Sequence, residues 1–210
     1  MTTPRPASAE LLNHGVPTTP RQSACVILLR DGEAGPEVLL VQRNPAQRFM
    51  GGYWVFPGGA VDAAEGAGDG AHRAAAVREL REEAGVGGVD PAQLVKYSRW
   101  ITPELIKMRF DTHFFLAPAP AGAQPAPDGV ECVGARWVAP AAALQAFGRD
   151  ELPLVFPTIR PLEELSAFPS GAARVAHARA KVVQPVMPRV VLVGDDAQVV
   201  LPGEPGYDAG

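Results

Sequence analysis

Cysteine is scarce in this chain: Cys25 and Cys132 are the only two among 210 residues. Each falls within an apolar, β-prone run, so two reduced, buried thiols are expected rather than a disulfide framework. No run approaches the roughly 20 apolar residues that span a bilayer, which argues against a membrane protein. The N-terminus lacks the apolar core of a signal peptide, and Tyr207-Asp208-Ala209-Gly210 is no recognised address, so a cytoplasmic location is expected by elimination. Positive charge is not in excess either. With 19 Lys and Arg against 23 Asp and Glu, the net charge of −4 excludes an extended nucleic-acid surface while leaving local anion sites open. There is no internal repeat and no evident helix-turn-helix. What the chain does have is 47% hydrophobic residues over 210 positions, enough for one substantial core.

Residues 1–20 are rich in proline and without period, and an irregular arm is expected there. Ala24–Arg30 and Glu37–Gln42 read as a hairpin around the turn chemistry of Asp31-Gly32-Glu33-Ala34-Gly35-Pro36. A glycine-rich loop with a short strand follows over 43–59, where backbone can approach a ligand closely. A helix is predicted over 71–84 with Asp69 as its cap. Strands are predicted over Leu94–Ile101, Lys107–Ala117 and Glu131–Val138. Helices are predicted from Pro140 to Phe147 and over 157–167 and 171–183. Arg189–Leu201 reads as a further hairpin around Gly194-Asp195-Asp196. The sum is an α/β fold with a mixed sheet flanked by helices. One main domain over 21–185 is expected, with 186–210 as an extension packed on it.

The informative stretch is Arg78-Glu79-Leu80-Arg81-Glu82-Glu83-Ala84-Gly85-Val86. Val77, Leu80 and Ala84 share the apolar face of a helix that Gly85 would end. Glu79, Glu82 and Glu83, at i, i+3 and i+4, are neighbours on another face. Like charges at i, i+4 disfavour the helix by roughly 0.2–0.5 kcal/mol. Acids in its last turn also oppose the helix dipole. A solvated acidic face is the ordinary meaning of such a run. A hard divalent cation such as Mg2+ or Mn2+, which binds carboxylate oxygen, would offset both penalties.

The preceding glycines make the pattern specific. Gly59, Glu65, Arg78, Glu79, Leu80, Glu82, Glu83, Gly85 and Val86 fill the named positions of Gly-x5-Glu-x7-Arg-Glu-U-x-Glu-Glu-x-Gly-U, where U is aliphatic. The chain thus resembles the Nudix hydrolases. One departure is length: twelve residues, Gly66 to Val77, stand where the pattern has seven, so a five-residue glycine-rich insertion is expected to lengthen the loop before the helix. The resemblance implies an α/β/α sandwich and metal-dependent hydrolysis of a phosphoanhydride in a nucleoside diphosphate linked to another group. It implies Glu79 and Glu83 as the main ligands of Mg2+ or Mn2+, with Glu82 and the Gly59 carbonyl as further ones. Arg78 is expected to hold Glu65 or a ligand carboxylate in place. Candidates for the general base are Glu82 on the helix and Glu131 on a distant loop. Glu104 and Asp111 are weaker, the latter being expected to pair with Arg109.

Upstream, Leu39, Leu40, Arg43, Arg48, Gly52, Phe56, Pro57, Gly58 and Gly59 match the spacing of the coenzyme A diphosphatase subgroup, with Val41 and Asn44 as departures. That likeness implies coenzyme A or an acyl-CoA as substrate, with Arg43 and Arg48 on phosphates by their guanidinium forks and Gly58 at the ligand. Hydrolysis of ADP-ribose, a dinucleotide or a nucleoside triphosphate is the alternative within the family, and a catalytically silent nucleotide sensor is the alternative outside enzymes. A small nucleotide is the expected partner. A homodimer is left open by the sequence.

Overall fold

In a computed structural model of the chain, the structure describes residues 12, 13, 15–33, 35–168, 170–193 and 196–208. Most of the expected N-terminal arm and the Gly194-Asp195 turn lie outside the described residues. The strands are β1 (Arg21–Gly32), β2 (Gly35–Arg43), β3 (Trp54–Val55), β4 (Gly58–Ala60), β5 (Val95–Ile101), β6 (Phe110–Pro118), β7 (Cys132–Val138), β8 (Pro185–Val186), β9 (Arg189–Val193) and β10 (Asp196–Val200). The α-helices are α1 (Gly68–Ala84), α2 (Pro140–Gly148), α3 (Phe156–Ser166) and α4 (Gly171–Ala180).

β1 is the spine. It pairs antiparallel with β2 through the expected hairpin and with β4, and parallel with β6 from Arg21↔Phe110 to Leu29↔Pro118. The main sheet runs β3-β2-β1-β6-β5-β8, with β7 added on β2. Successive residues of a strand point to opposite faces. Ala24, Val26 and Leu28 therefore enter one core with Ala75, Ala76, Leu80 and Ala84 of α1. Ile27 and Leu29 enter the other with Ile159, Leu162 and Leu165 of α3. Both faces of β1 are buried, as the unbroken apolar run of its sequence requires, and the result is an α/β/α sandwich. The alanines of α1 leave room for the helix to approach the sheet closely. Among the described residues no helix is long and apolar enough to cross a membrane.

Four local expectations are corrected. α1 begins at Gly68, not at 71, so the last three residues of the Gly66–Gly70 insertion are wound into its first turn instead of lengthening the loop. Asp69 is inside that turn and is not the cap. Ala67 holds the cap position without a side-chain bond, while Asp69 pairs with Arg73 at 2.7 Å and Lys96 at 2.8 Å. β6 begins at Phe110, because the Phe110 N–H donates to Thr102 Oγ1 and closes a 102–109 connection that takes Lys107 with it. α4 stops at Ala180, short of the expected 183. The β-branched pair Val182-Val183 and Gln184, which precedes Pro185, favour extended backbone.

Candidate active site

The roll of α1 is set by Leu80 and Ala84, both fully buried. That roll gives its three C-terminal glutamates different surroundings. Glu83 is 2% exposed, Glu79 is partly buried, and the Glu82 side chain is 52% exposed. Gly85 ends the helix at φ 65°, in the left-handed region, with its N–H donating to Arg81 O.

β4 faces these acids with bare backbone. The Gly58 N–H donates to Glu83 Oε2 at 2.9 Å. A Cβ at Gly58 would collide with the Ala24 carbonyl and Cys25, and a Cβ at Gly59 would land on the Glu79 carboxylate. Gly58 is thus required by space, whereas a methyl at Gly59 would be met by displacing the Glu79 carboxylate.

Arg78 binds the helix to the loop before it. Its Nε donates to Glu65 Oε1 at 3.0 Å, its Nη1 to Glu79 Oε1 at 2.8 Å and to Glu82 Oε2 at 2.9 Å, and its Nη2 to Ala60 O at 2.9 Å. Glu65 in turn accepts the Asp62 N–H at 2.7 Å. Because the insertion is absorbed upstream, as an added start to α1, Glu65 stays within reach of Arg78. The acids around Arg78 hold its proton more firmly than usual, against the opposing effect of burial.

Glu79 and Glu83 line a cavity of about 390 Å3 together with Arg43, Gly58, Gly59 and Glu131. Arg43 Nη1 stands 3.6 Å from Glu83 Oε1, and its Nε donates to Phe49 O. Burial pushes the Glu83 carboxyl up to about 7; the charges of Glu79 and Glu131 add to that, while the Gly58 N–H and Arg43 oppose it. Burial likewise raises Glu79, against the pull of Arg78. Cys132 is fully buried and Cys25 lines the cavity, both as thiols raised by burial and by the Glu83 charge.

The structure therefore gathers Glu79, Glu83, Glu131, Arg43, Gly58 and Gly59. Glu82, Glu65 and Arg78 stand behind them, outside the cavity lining. Arg48 is exposed and also outside it, as is Glu104. Asp111 is removed from the site by a different partner than expected: Arg99 grips it at 2.8 and 2.6 Å, whereas Arg109 donates to Thr18 O and Thr102 O. Arg99 and Asp111 are diagonal neighbours across β5 and β6, a register no local pattern discloses. Sequence reasoning also missed Phe49, Met50 and Thr112, which line the same cavity. Met50 was detectable in principle from its place among glycines; its φ of 55° is one of two positive values among the described non-glycine residues.

As the side chains stand, no three His, Cys, Asp or Glu among the described residues are gathered tightly enough to hold an ion. The donor chemistry nonetheless fits a hard cation: carboxylate oxygens of Glu79, Glu83 and Glu131 and backbone oxygen of β4 lie around one cavity.

The NUDIX domain family model matches residues 19–157. The chain belongs to the Nudix family, and its fold is the one Nudix hydrolases share. A Bacillus subtilis (strain 168) protein named "Putative 8-oxo-dGTP diphosphatase" is 34% identical over 119 residues, covering 57% of this chain and 66% of that relative. A NUDIX hydrolase from Alicyclobacillus acidocaldarius superposes with a TM-score of 0.68 at 28% identity, over 76% of this chain and 96% of that one. The NUDIX domain of Shewanella oneidensis NrtR, solved with ADP ribose, gives a TM-score of 0.56 at 18% identity over 70% and 86% of the two chains, a likeness of fold alone.

Proposed function

We propose that the chain is a divalent-cation-dependent diphosphatase that splits coenzyme A or an acyl-CoA into 3′,5′-ADP and the corresponding phosphopantetheine. The observation that carries the hydrolase reading is the convergence of Glu79, Glu83, Glu131 and Arg43 on one cavity walled by Gly58 and Gly59. Membership of the Nudix family and a relative named as a diphosphatase support it. The upstream subgroup spacing supports coenzyme A.

In this reading Glu79 and Glu83 with the Gly59 carbonyl, and Glu82 as a further ligand, would hold Mg2+ or Mn2+, which would neutralise diphosphate charge and make bound water more acidic. The chain does the rest. Arg43 donates to diphosphate oxygens, where its fork suits two at once. Glu131, on the rim before β7, takes the proton of the attacking water. Water oxygen bonds to phosphorus as the P–O–P bridge breaks, and the leaving phosphate keeps the bridge electrons. Arg78 acts through Glu79, Glu82 and Glu65 as a positioning residue. Arg48, exposed beside Phe49, meets the 3′-phosphate outside the cavity.

A second reading follows from the Bacillus subtilis relative: hydrolysis of a nucleoside triphosphate such as 8-oxo-dGTP. A panel of coenzyme A, acetyl-CoA, ADP-ribose and 8-oxo-dGTP with Mg2+ or Mn2+ separates them. Release of 3′,5′-ADP from coenzyme A is expected. Turnover of 8-oxo-dGTP without it moves the assignment to the second reading, and binding without turnover of any would make the protein a sensor.

A further inference from the structure

Beside the catalytic cavity lies a second one of about 180 Å3. The two adjoin, with Phe49, Met50, Thr102, Thr112, Val155 and Pro157 lining both. The far wall belongs to the C-terminal hairpin: Pro188, Val190 and Val199, which lie beyond the 19–157 family match. Val190 and Val199 are directly paired in that hairpin, whose two strands form a sheet of their own rather than extending the main one. The hairpin therefore adds an apolar wall to a chamber that adjoins the acidic cavity.

Among the described residues no charged side chain lines this chamber. Its two hydroxyls other than Tyr53 are engaged: Thr112 Oγ1 lies 2.6 Å from Ser23 Oγ, and Thr102 Oγ1 accepts from the Phe110 N–H. Trp100 packs edge-on to Phe156 with their centroids 5.7 Å apart. A nucleobase placed here would find few partners for its polar edge beyond the Tyr53 hydroxyl and the unpartnered Trp100 Nε1, and a buried polar group left unpaired is unfavourable. The chamber is also too small for a nucleotide beside the 390 Å3 cavity that holds the acids. At the junction Met50 is held at φ 55°, a conformation that side-chain-bearing residues adopt only when their surroundings impose it.

We propose that this chamber binds an aliphatic chain carried by the non-nucleotide half of the diphosphate substrate, and that Val190 and Val199 set the preference for it. This rests on the diphosphatase reading above and adds to it the part of the substrate that the C-terminal extension selects. Each methylene buried should tighten binding by about fourfold, up to the length the chamber holds.

The test uses methylene-bridged adenosine diphosphate esters of ethanol, hexanol and decanol, which bind but are not cleaved, with Mg2+ and the full chain. The Kd ratio of ethyl to hexyl ester is expected to be at least ~10, and to fall toward 1 in Val199→Asp and by about half in Val190→Ala. A hairpin that detaches in Val199→Asp removes the wall as well, so the ratio falls by either route; thermal unfolding shows the domain intact. Equal Kd for all three esters in the wild type, or an unchanged ratio in both variants, overturns the proposal. Hydrolysis of coenzyme A, of 8-oxo-dGTP and of the oxygen-bridged ethyl ester is measured alongside. Its absence while the chain-length ratio persists removes the diphosphatase reading and keeps the chamber, whereas hydrolysis with a flat ratio does the reverse.

Discussion

Glu83 is buried and faces the charges of Glu79 and Glu131, with the Gly58 N–H and an arginine 3.6 Å away opposing them. Glu83→Gln keeps an oxygen that can accept the Gly58 N–H and keeps the shape, so the fold is expected to survive by far-UV circular dichroism and thermal melting. kcat should fall at least ~100-fold, about 2.7 kcal/mol of barrier. Wild-type turnover at saturating metal would place Glu83 outside the chemistry. Gly59→Ala tests the same corner from the opposite wall. Its methyl would displace the Glu79 carboxylate, and kcat/KM should drop on the order of tenfold while the melting point moves little. The spacing of Glu79, Glu82 and Glu83 marked the acid cluster without any structure. It did not rank the three, because one residue of helix turns the side chain by roughly 100°, and that turn separates a 2% exposed Glu83 from a half-exposed Glu82. The exposure of Arg48 beside the inward Arg43 was equally illegible, since a loop without period gives no face.

At the scale of elements, α1 and the loop before it behave as one unit tied by Arg78. Four hydrogen bonds leave that one guanidinium, three to carboxylates and one to the Ala60 carbonyl. Arg78→Ala leaves Glu65, Glu79 and Glu82 facing one another without a cation. A stability loss on the order of 2–3 kcal/mol is expected by urea unfolding. Lysine, with a single point charge, cannot span the same acceptors and should recover little of it. A change within 0.5 kcal/mol would show that the ties are surface decoration. The strands and the order of helices were legible because their apolar periods are long. The start of α1 was not. Gly66-Ala67-Gly68-Asp69-Gly70 reads locally as a loop, and it joins the helix because Asp69 is held by Arg73 and by Lys96 from β5. That second contact is tertiary and leaves no trace in a window of sequence. The Asp111–Arg99 pair is the same case, fixed by β5–β6 register rather than by chain neighbours.

For the molecule as a whole, two sign-opposed groups govern the response to ligand and pH. If Glu79 and Glu83 hold a divalent cation, adding Mg2+ or Mn2+ at about 100 times its Kd should stabilise the fold by about 2.7 kcal/mol, and chelator should reverse it. The increment should vanish in Glu83→Gln. Away from the site, His113 of β6 stacks on His72 of α1 with ring centroids 4.0 Å apart. Burial, then His72, then Arg99 depress His113 to about 4, with Asp111 pulling the other way and Lys96 adding to the depression. A base with a depressed folded pKa stays neutral in the fold while the unfolded chain protonates. Its contribution is therefore complete above about 6.5 and is lost as pH falls toward 4. Glu83 has the reverse sign, since a carboxyl raised to about 7 weakens the fold as pH climbs from the ordinary carboxylate range to 7. The two overlap, so a single melting curve against pH cannot separate them. Comparing wild type with His113→Gln can, because the Glu83 contribution is common to both and cancels. Between pH 7 and pH 4.5 the wild type is expected to lose on the order of 2 kcal/mol more than the variant. That is about 4–8 °C in Tm for a chain of this size. Parallel losses in the two proteins would mean that His113 already carries its proton in the fold, and that the stacked pair is held by other means.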